Sequence, residues 1–199
     1  MAKLYFKYGV MASSKTALAL MTRFNYLEKG RNVWLIKPSI DTRDGENVIK
    51  SRIGIEANAV IIQENDNIKD KMKERSDMFG LLDEGALPDV IIADEAQFFT
   101  RDQIDQLRTI ASCMNIPVIC FGLRTDFQSN MFPGSLRLME LADSISEIKS
   151  ICNCGDKAII NARIDKDGKI ITSGEQIEIG GNERYESMCW KCWKRKTKK

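Results

Sequence analysis

The segment that most constrains the fold is residues 9–16, with the sequence GVMASSKT. It follows an apolar, β-prone run at residues 4–6 and leads into a run typical of a helix at residues 17–21. A strand, a tight turn and Lys-Thr at a helix start are the arrangement of a phosphate-binding loop, whose backbone N–H groups face the phosphates. The candidate phosphate-binding residues are Gly9, Val10, Met11, Ala12, Ser13, Ser14, Lys15 and Thr16.

Two side chains of this segment have specific expected roles. Lys15 would supply positive charge, and Thr16 would offer a hydroxyl to Mg²⁺. Ser14 stands where the usual pattern has its second glycine. The alternative interpretation is a turn that enters an ordinary helix with a lysine on its surface.

Short apolar runs alternate with helical patterns along the first three quarters of the chain. The runs at 33–36, 60–62, 90–93 and 118–121 are typical of buried strands, and 15–29, 68–82 and 101–112 are typical of helices. This alternation predicts a mostly parallel α/β sheet with helices on both faces. Ligands of such sheets bind beyond the carboxyl ends of the strands, where Gly9, Asp94 and Gly122 fall. Residues 38–54 and 122–134 are predicted to be loops.

Length and composition favour one ordinary domain with a small appendage. The chain has 199 residues, of which 43% are hydrophobic. The alternation of strand and helix patterns ends near residue 148, where a segment with paired cysteines begins. We therefore expect a domain over 1–149 and a second over 150–199. A net charge of only +2 makes a general nucleic-acid partner unlikely. The absence of an apolar run of about 18 residues or of a signal-peptide pattern predicts a cytoplasmic protein with no membrane partner.

Asp94 and Glu95 end a predicted buried strand, where an unpaired carboxylate would be costly. Beside a phosphate-binding loop, Asp94 fits the role of holding Mg²⁺, and Glu95 would point into the crevice and accept a proton. Because the chain has no histidine, a base near neutral pH has to be a carboxylate, a lysine or a thiolate. The alternative is an ordinary acidic turn after a strand.

Four of the six cysteines form two close pairs separated by a predicted hairpin: Cys152, Cys154, Cys189 and Cys192. Four thiolates can form a tetrahedral structural Zn²⁺ site. A segment of about 50 residues cannot bury much core, so a stabilising cross-link of this kind is expected. A redox pair or incidental cysteines are the alternatives. Cys113 and Cys120 are predicted to pack in the core.

Aromatic and apolar side chains on the loops near the crevice are Phe98, Phe99, Leu123, Phe127, Phe132 and Tyr185. They could stack on a nucleobase, or they could belong to the core. The basic tail after residue 190 is expected to be a frayed, solvated terminus.

Four segments together resemble one family. They are the loop at 9–16, DEAQFF at 94–99, GLRTDFQ at 122–128 and IGGNERY at 179–185 ahead of Cys189. They are similar to the thymidine kinases shared by bacteria and animal cytosol, and the resemblance covers nearly the whole chain. It implies a RecA-like sheet, a zinc-ribbon domain with a lasso at about 173–185, ATP and thymidine as substrates, and a homotetramer.

The resemblance also implies roles for individual residues. Glu95 is similar to the family's catalytic base, Asp94 and Thr16 to its Mg²⁺ partners, and Arg43 to an arginine near the phosphates. Phe98, Leu123, Phe127, Phe132 and Tyr185 resemble the base pocket, and the lasso backbone at Ile179 and Gly180 would read the thymine edge.

The sequence departs from the family pattern at Ser14 and at the tight C-x-C spacing of the first cysteine pair. A serine in place of glycine is expected to weaken ATP binding without abolishing it. Three alternatives remain: a RecA-like ATPase that activates water with Glu95, a zinc-ribbon nucleic-acid-binding protein, and a nucleotide-binding protein without catalytic activity.

Overall fold

The computed structural model describes residues 1–42, 45, 47–78, 87–177 and 184–197. Its strands are β1 (Leu4–Tyr8), β2 (Val33–Pro38), β3 (Val48–Lys50), β4 (Glu56–Asn58), β5 (Val60–Ile62), β6 (Val90–Ala93), β7 (Val118–Gly122), β8 (Ser144–Glu147), β9 (Ile160–Ile164), β10 (Ile170–Ile171) and β11 (Tyr185–Met188). Its helices are α1 (Lys15–Leu27), α2 (Ile68–Met78), α3 (Arg101–Cys113), α4 (Pro133–Leu141) and α5 (Trp190–Thr197).

Six strands form the main sheet in the order β5-β2-β6-β7-β1-β8, and all the pairings between them are parallel. The sheet and its flanking helices confirm the predicted α/β fold. Every residue of β2, β6 and β7 is buried, as expected for parallel strands covered on both faces.

Successive residues of these strands enter different cores. Trp34 and Ile36 pack with α2, α3 and α4 on one face of the sheet, whereas Leu35 packs with α1 on the other. Because side chains alternate along a strand, each buried strand contributes to both cores at once. A run of consecutive apolar residues is the sequence signature that this arrangement requires.

Helix α1 does not turn most of its large apolar residues toward the core. Leu18, Met21, Phe24 and Leu27 are exposed, and the helix instead packs through Ala17, Ala19 and Leu20. Small residues on the sheet side let the helix approach closely, and the larger apolar residues are left on the outer face.

Four elements lie where the sequence predicted loops or no regular structure. Strands β3 and β4 form an antiparallel hairpin that begins inside the predicted 38–54 loop. Helix α4 begins at Pro133, and β8 adds an edge strand parallel to β1. Helix α2 is described to Met78, and the rest of the predicted helix to residue 82 lies outside the described residues.

The C-terminal part is a three-stranded antiparallel sheet in the order β10-β9-β11. Asp165 and Lys169 close the predicted hairpin turn, with a distance of 2.9 Å from the Asp165 nitrogen to the Lys169 oxygen. We expected the basic tail to be a frayed terminus. That expectation is wrong up to Thr197, because helix α5 occupies this stretch.

Two smaller observations complete the fold. Cys120 is buried, as predicted, but Cys113 is exposed because it ends α3 beyond the last buried residue, Ala111. Among the described helices, none combines the length and the apolar character needed to cross a bilayer.

Candidate active site

The loop at 9–16 connects β1 to α1 and is bent by unusual backbone conformations. Ser14 has φ 62° and ψ 24°, and Ala12 has φ 59°, so two residues that carry a Cβ lie in the left-handed region. Gly9 is required by close approach, because a Cβ there would lie 2.3 Å from Ser13 Oγ and 2.7 Å from the Ile148 oxygen. The loop therefore has glycine at position 9, where a side chain would clash, and serine at position 14, where the backbone is in the left-handed region.

Lys15 lies under the loop rather than in solvent. Its side chain is buried, and Nζ donates to the Val10 carbonyl at 2.8 Å. Ser13 Oγ is buried without a hydrogen-bond partner among the described residues. An ammonium group and an orphaned hydroxyl beside backbone N–H groups suit an anionic ligand.

One cavity of about 460 Å³ opens beside this loop at the carboxyl ends of the strands. It brings together most of the residues that the sequence predicted. These are Met11, Ala12, Ser13, Ser14, Lys15, Thr16, Asp94, Glu95, Phe98, Leu123, Phe127, Phe132 and Tyr185. Gly9 and Val10 lie behind its wall, and Phe99 is buried in the core.

Asp94 follows β6 and is 3% exposed. Burial, and next the neighbouring Glu95 charge, raise the pKa of Asp94 to about 7, although a hydrogen bond with the Thr16 side chain and the Lys15 charge oppose the shift. Its Oδ1 atom is buried without a hydrogen-bond partner in the described part of the chain. A divalent cation would satisfy that oxygen, so the Asp94–Thr16 pair fits a Mg²⁺ site.

Glu95 lines the same cavity and has a left-handed backbone, with φ 49°. A neighbouring side chain orients its carboxylate, since Gln97 Nε2 donates to Glu95 Oε2 at 2.5 Å. The sequence carried no signal for this conformation, because no glycine marks the turn.

The far wall of the cavity is largely aromatic. Phe98 and Phe132 meet edge to face with centroids 5.5 Å apart, and Phe127 is 2% exposed. The guanidinium of Arg163 lies 3.8 Å from the centre of the Phe127 ring. A flat apolar slot of this kind can hold a planar heterocycle.

Arg163 is a residue that the sequence analysis missed. It is 2% exposed and donates to the Tyr185 hydroxyl at 2.8 Å and 3.0 Å, and to the Glu175 carbonyl at 2.9 Å. A single arginine in the apolar stretch 158–164 was the available signal, because a buried charge needs partners. Arg163 fixes Tyr185 and the described start of the predicted lasso.

The C-terminal sheet also holds the phosphate-binding loop. Asn161 Oδ1 accepts from the Met11 N–H at 2.7 Å, and the Ser187 hydroxyl donates to the Met11 carbonyl at 2.5 Å. Asn161 Nδ2 donates in turn to the Thr125 carbonyl at 2.8 Å. Both polar groups of one loop residue are thus satisfied by strands β9 and β11.

The four predicted cysteines converge beside this sheet. Their Sγ atoms all lie within 4.8 Å of one another, and Cys154 Sγ is 3.6 Å from Cys189 Sγ. A tetrahedral zinc site with Zn–S bonds of about 2.3 Å has sulfur atoms about 3.8 Å apart. Hydrogen bonds from the backbone of Cys154 and Cys189 lower the pKa of Cys152 to about 7, which favours a thiolate. The cluster could hold a metal ion.

Three predicted site residues, Arg43, Ile179 and Gly180, lie outside the described residues, as do residues 178–183 of the lasso. The described part of the lasso, 173–177 and 184–185, reaches the cavity through Gln176, Ile177 and Tyr185.

Comparison with known proteins gives a consistent result. The family model for thymidine kinase matches residues 2–193. A thymidine kinase of Rhodopirellula baltica is 42% identical over 189 residues, which are 95% of this chain and 86% of the relative. One of Zymomonas mobilis is 45% identical over 189 residues, 95% and 94% of the two chains. A similarity to the Pif1 helicase from Candida albicans, with a TM-score of 0.43 and 14% identity over 75% of this chain and 36% of that one, is too weak to carry an argument. The matches at more than 40% identity over nearly the whole chain show that this protein belongs to the thymidine kinase family.

Proposed function

We propose that this chain transfers the γ-phosphoryl group of ATP to the 5′-hydroxyl of thymidine, giving thymidine monophosphate and ADP. The observation that carries the proposal is one cavity, in a chain of the thymidine kinase family, that joins a lysine-bearing loop, the adjacent carboxylates Asp94 and Glu95, and an aromatic wall. Phosphoryl transfer needs little covalent chemistry from a protein, so positioning and charge neutralisation provide most of the acceleration.

The phosphate-binding loop and Lys15 would hold the phosphates of ATP. Lys15 already lies against the loop backbone, so its charge is placed close to the helix N-terminus. We assign Arg43 a second positive charge near the transferred group. Asp94 and Thr16 would hold Mg²⁺, which supplies neutralisation of the phosphate charge when bound.

Glu95 would accept the proton of the 5′-hydroxyl. It lines the cavity next to Asp94, and the chain has no histidine that could replace it. When the hydroxyl oxygen forms its bond to the γ-phosphorus, the bond from that phosphorus to the bridging oxygen of ADP breaks and the hydroxyl proton moves to the Glu95 carboxylate.

The aromatic wall and the lasso would hold the nucleoside. Phe98, Leu123, Phe127, Phe132 and Tyr185 would enclose the base, and the backbone near Ile179 and Gly180 would read its polar edge. We assign the nucleotide-binding domain to residues 1–149 and the zinc-ribbon domain to residues 150–199. Zn²⁺ on the four clustered cysteines would keep the ribbon, and hence the lasso, in place.

We further propose that the enzyme is a homotetramer. The support is the outer face of α1, where Leu18, Met21, Phe24 and Leu27 are between 37% and 58% exposed. Apolar residues repeated along one helix face are a common subunit contact. Size-exclusion chromatography with light scattering should give a mass of about four times 22.6 kDa, and a monomeric mass would contradict the assembly.

The test of the function is ADP release with and without nucleosides, comparing thymidine, deoxyuridine, deoxycytidine and no addition. We expect thymidine-dependent turnover. Glu95→Gln should lower turnover by about 10²–10⁴-fold and leave ATP binding nearly unchanged. Glu64→Gln is a matched control, because Glu64 is exposed and outside the cavity. ATP turnover that does not depend on a nucleoside would identify an ATPase instead.

A further inference from the structure

Gln97 is a buried polar residue that bridges two elements of the candidate active site. Its side chain is 1% exposed and lines the cavity. Gln97 Nε2 donates to Glu95 Oε2 at 2.5 Å, and Gln97 Oε1 accepts from the Leu123 N–H at 2.9 Å. One amide thus joins the carboxylate after β6 to the backbone after β7.

The two partners determine which way the amide points. An ionised carboxylate only accepts hydrogen bonds, and a backbone N–H only donates them. The NH₂ group therefore faces Glu95, and the oxygen faces Leu123. A flipped amide would lose both bonds inside a buried site, at the cost of two unsatisfied polar groups.

Two glycines allow the backbone of neighbouring elements to approach Gln97 and its turn closely. A Cβ on Gly122 would lie 2.7 Å from Gln97 Oε1 and 3.1 Å from the Gln97 nitrogen. On the opposite side, a Cβ on Gly134 of α4 would lie between 2.6 Å and 2.9 Å from the carbonyl oxygens of Phe99, Ala96 and Gln97. The short 3₁₀ turn at Ala96–Phe98 is therefore packed closely between β7 and α4, which holds the backbone of Gln97 in place.

We propose that Gln97 is a positioning residue that holds the Glu95 carboxylate in the orientation needed to receive the substrate proton. The proposal rests on the role of Glu95 proposed above. A carboxylate has about four lone-pair directions, so the bond from Gln97 constrains its orientation without using all of them. Because the same amide binds the Leu123 backbone, the Glu95 carboxylate is also held at a fixed position relative to Leu123 in the wall of the nucleoside cavity.

Gln97→Met tests the proposal because methionine has a similar length and volume but cannot make either hydrogen bond. Misplacement of a catalytic group by about 1 Å can cost about 10²-fold in rate, and we expect kcat to fall by about that factor. The dissociation constants of ATP and thymidine should stay near those of the wild type, since the proposed role of Gln97 is to hold Glu95 and not the two ligands.

Gln103→Met is the matched control. Gln103 is likewise buried, at 2% exposed, but its amide belongs to the capping box of α3 and lies outside the cavity wall. This variant should lower the melting temperature and leave kcat unchanged. If Gln97→Met folds poorly, Gln97→Glu provides a second test, since it keeps an acceptor for the Leu123 N–H but places an acid against Glu95. It should also lower kcat.

The outcomes separate the two proposals. A wild-type enzyme that does not phosphorylate thymidine overturns the proposed function. An active wild type with unchanged kcat in Gln97→Met or Gln97→Glu overturns the positioning role. Equal losses of kcat in Gln97→Met and Gln103→Met, in proportion to lost stability, also overturn it, because Gln97 would then be only structural.

Discussion

Replacing Ser14 with glycine tests whether strain in the phosphate-binding loop limits the enzyme. Ser14 is left-handed and makes no side-chain capping bond to α1. That conformation costs a residue with a Cβ about 1–2 kcal/mol, while glycine loses about 0.5–1 kcal/mol in backbone entropy on folding. The net gain in the free energy of unfolding should be about 0.5–1 kcal/mol, or roughly 1–4 °C in melting temperature for a chain of this size.

ATP affinity should also increase. When only a fraction of the molecules holds the loop in a conformation that can bind ATP, the apparent affinity equals the intrinsic affinity multiplied by that fraction. A strain of at most 2 kcal/mol bounds the gain at roughly thirtyfold. Hydrogen bonds from Met11 and Lys15 already hold the loop, so we expect only about a two- to fivefold gain.

The assay is calorimetric titration with a non-hydrolysable ATP analogue together with thermal unfolding. Ser129→Gly is the control, because Ser129 is also left-handed, with φ 69°, but lies outside the cavity wall. It should gain similar stability without a change in ATP affinity. Unchanged or weaker affinity in Ser14→Gly would refute the link between strain and binding, and no stability gain in either variant would refute the strain itself. Preference among nucleosides should be unaffected.

Three further predictions follow from the site. Cys189→Ser should lose its bound zinc by metal analysis, with activity lost mainly through weaker thymidine binding; full activity without zinc would contradict this. In buffer without magnesium, the raised pKa of Asp94 means that the folded state keeps a proton that the unfolded state releases near pH 4. The Asp94 contribution to stability should therefore fall between about pH 4 and pH 7, and Asp94→Asn should remove that contribution in denaturant unfolding; the same pH slope in both forms would refute the shift. Arg163→Lys loses the forked contact with Tyr185, so the KM for thymidine should rise about tenfold while that for ATP stays constant.

The central strands and the phosphate-binding loop could be predicted because their requirements are local. A strand buried on both faces needs an apolar run, as at residues 90–93. Strand β8 shows the limit of that rule. Its burial is partial, and its sequence SISE has a single apolar residue, because an edge strand needs little apolar surface. Its place beside β1 depends on a partner 139 residues earlier in the sequence.

The site residues divide in the same way. Lys15, Asp94 and the cysteines belong to spaced motifs, so the sequence identified them. Arg163 and Asn161 are each one polar residue in an apolar stretch, and their roles depend on partners from distant segments. The left-handed backbone of Glu95 precedes a turn that packs closely against Gly122 and Gly134, and no local pattern records that packing.

The hydrogen bonds that Met11 receives from Asn161 and Ser187 also bear on how the protein is made. During synthesis the phosphate-binding loop leaves the ribosome long before strand β11, which follows it in the sequence. Strand β1 itself pairs with β7 and β8, which follow it by more than 100 residues. The nascent chain therefore carries the loop sequence long before the loop can adopt the geometry seen in the structure. We expect the loop to reach that geometry only after strands β9 and β11 have been made.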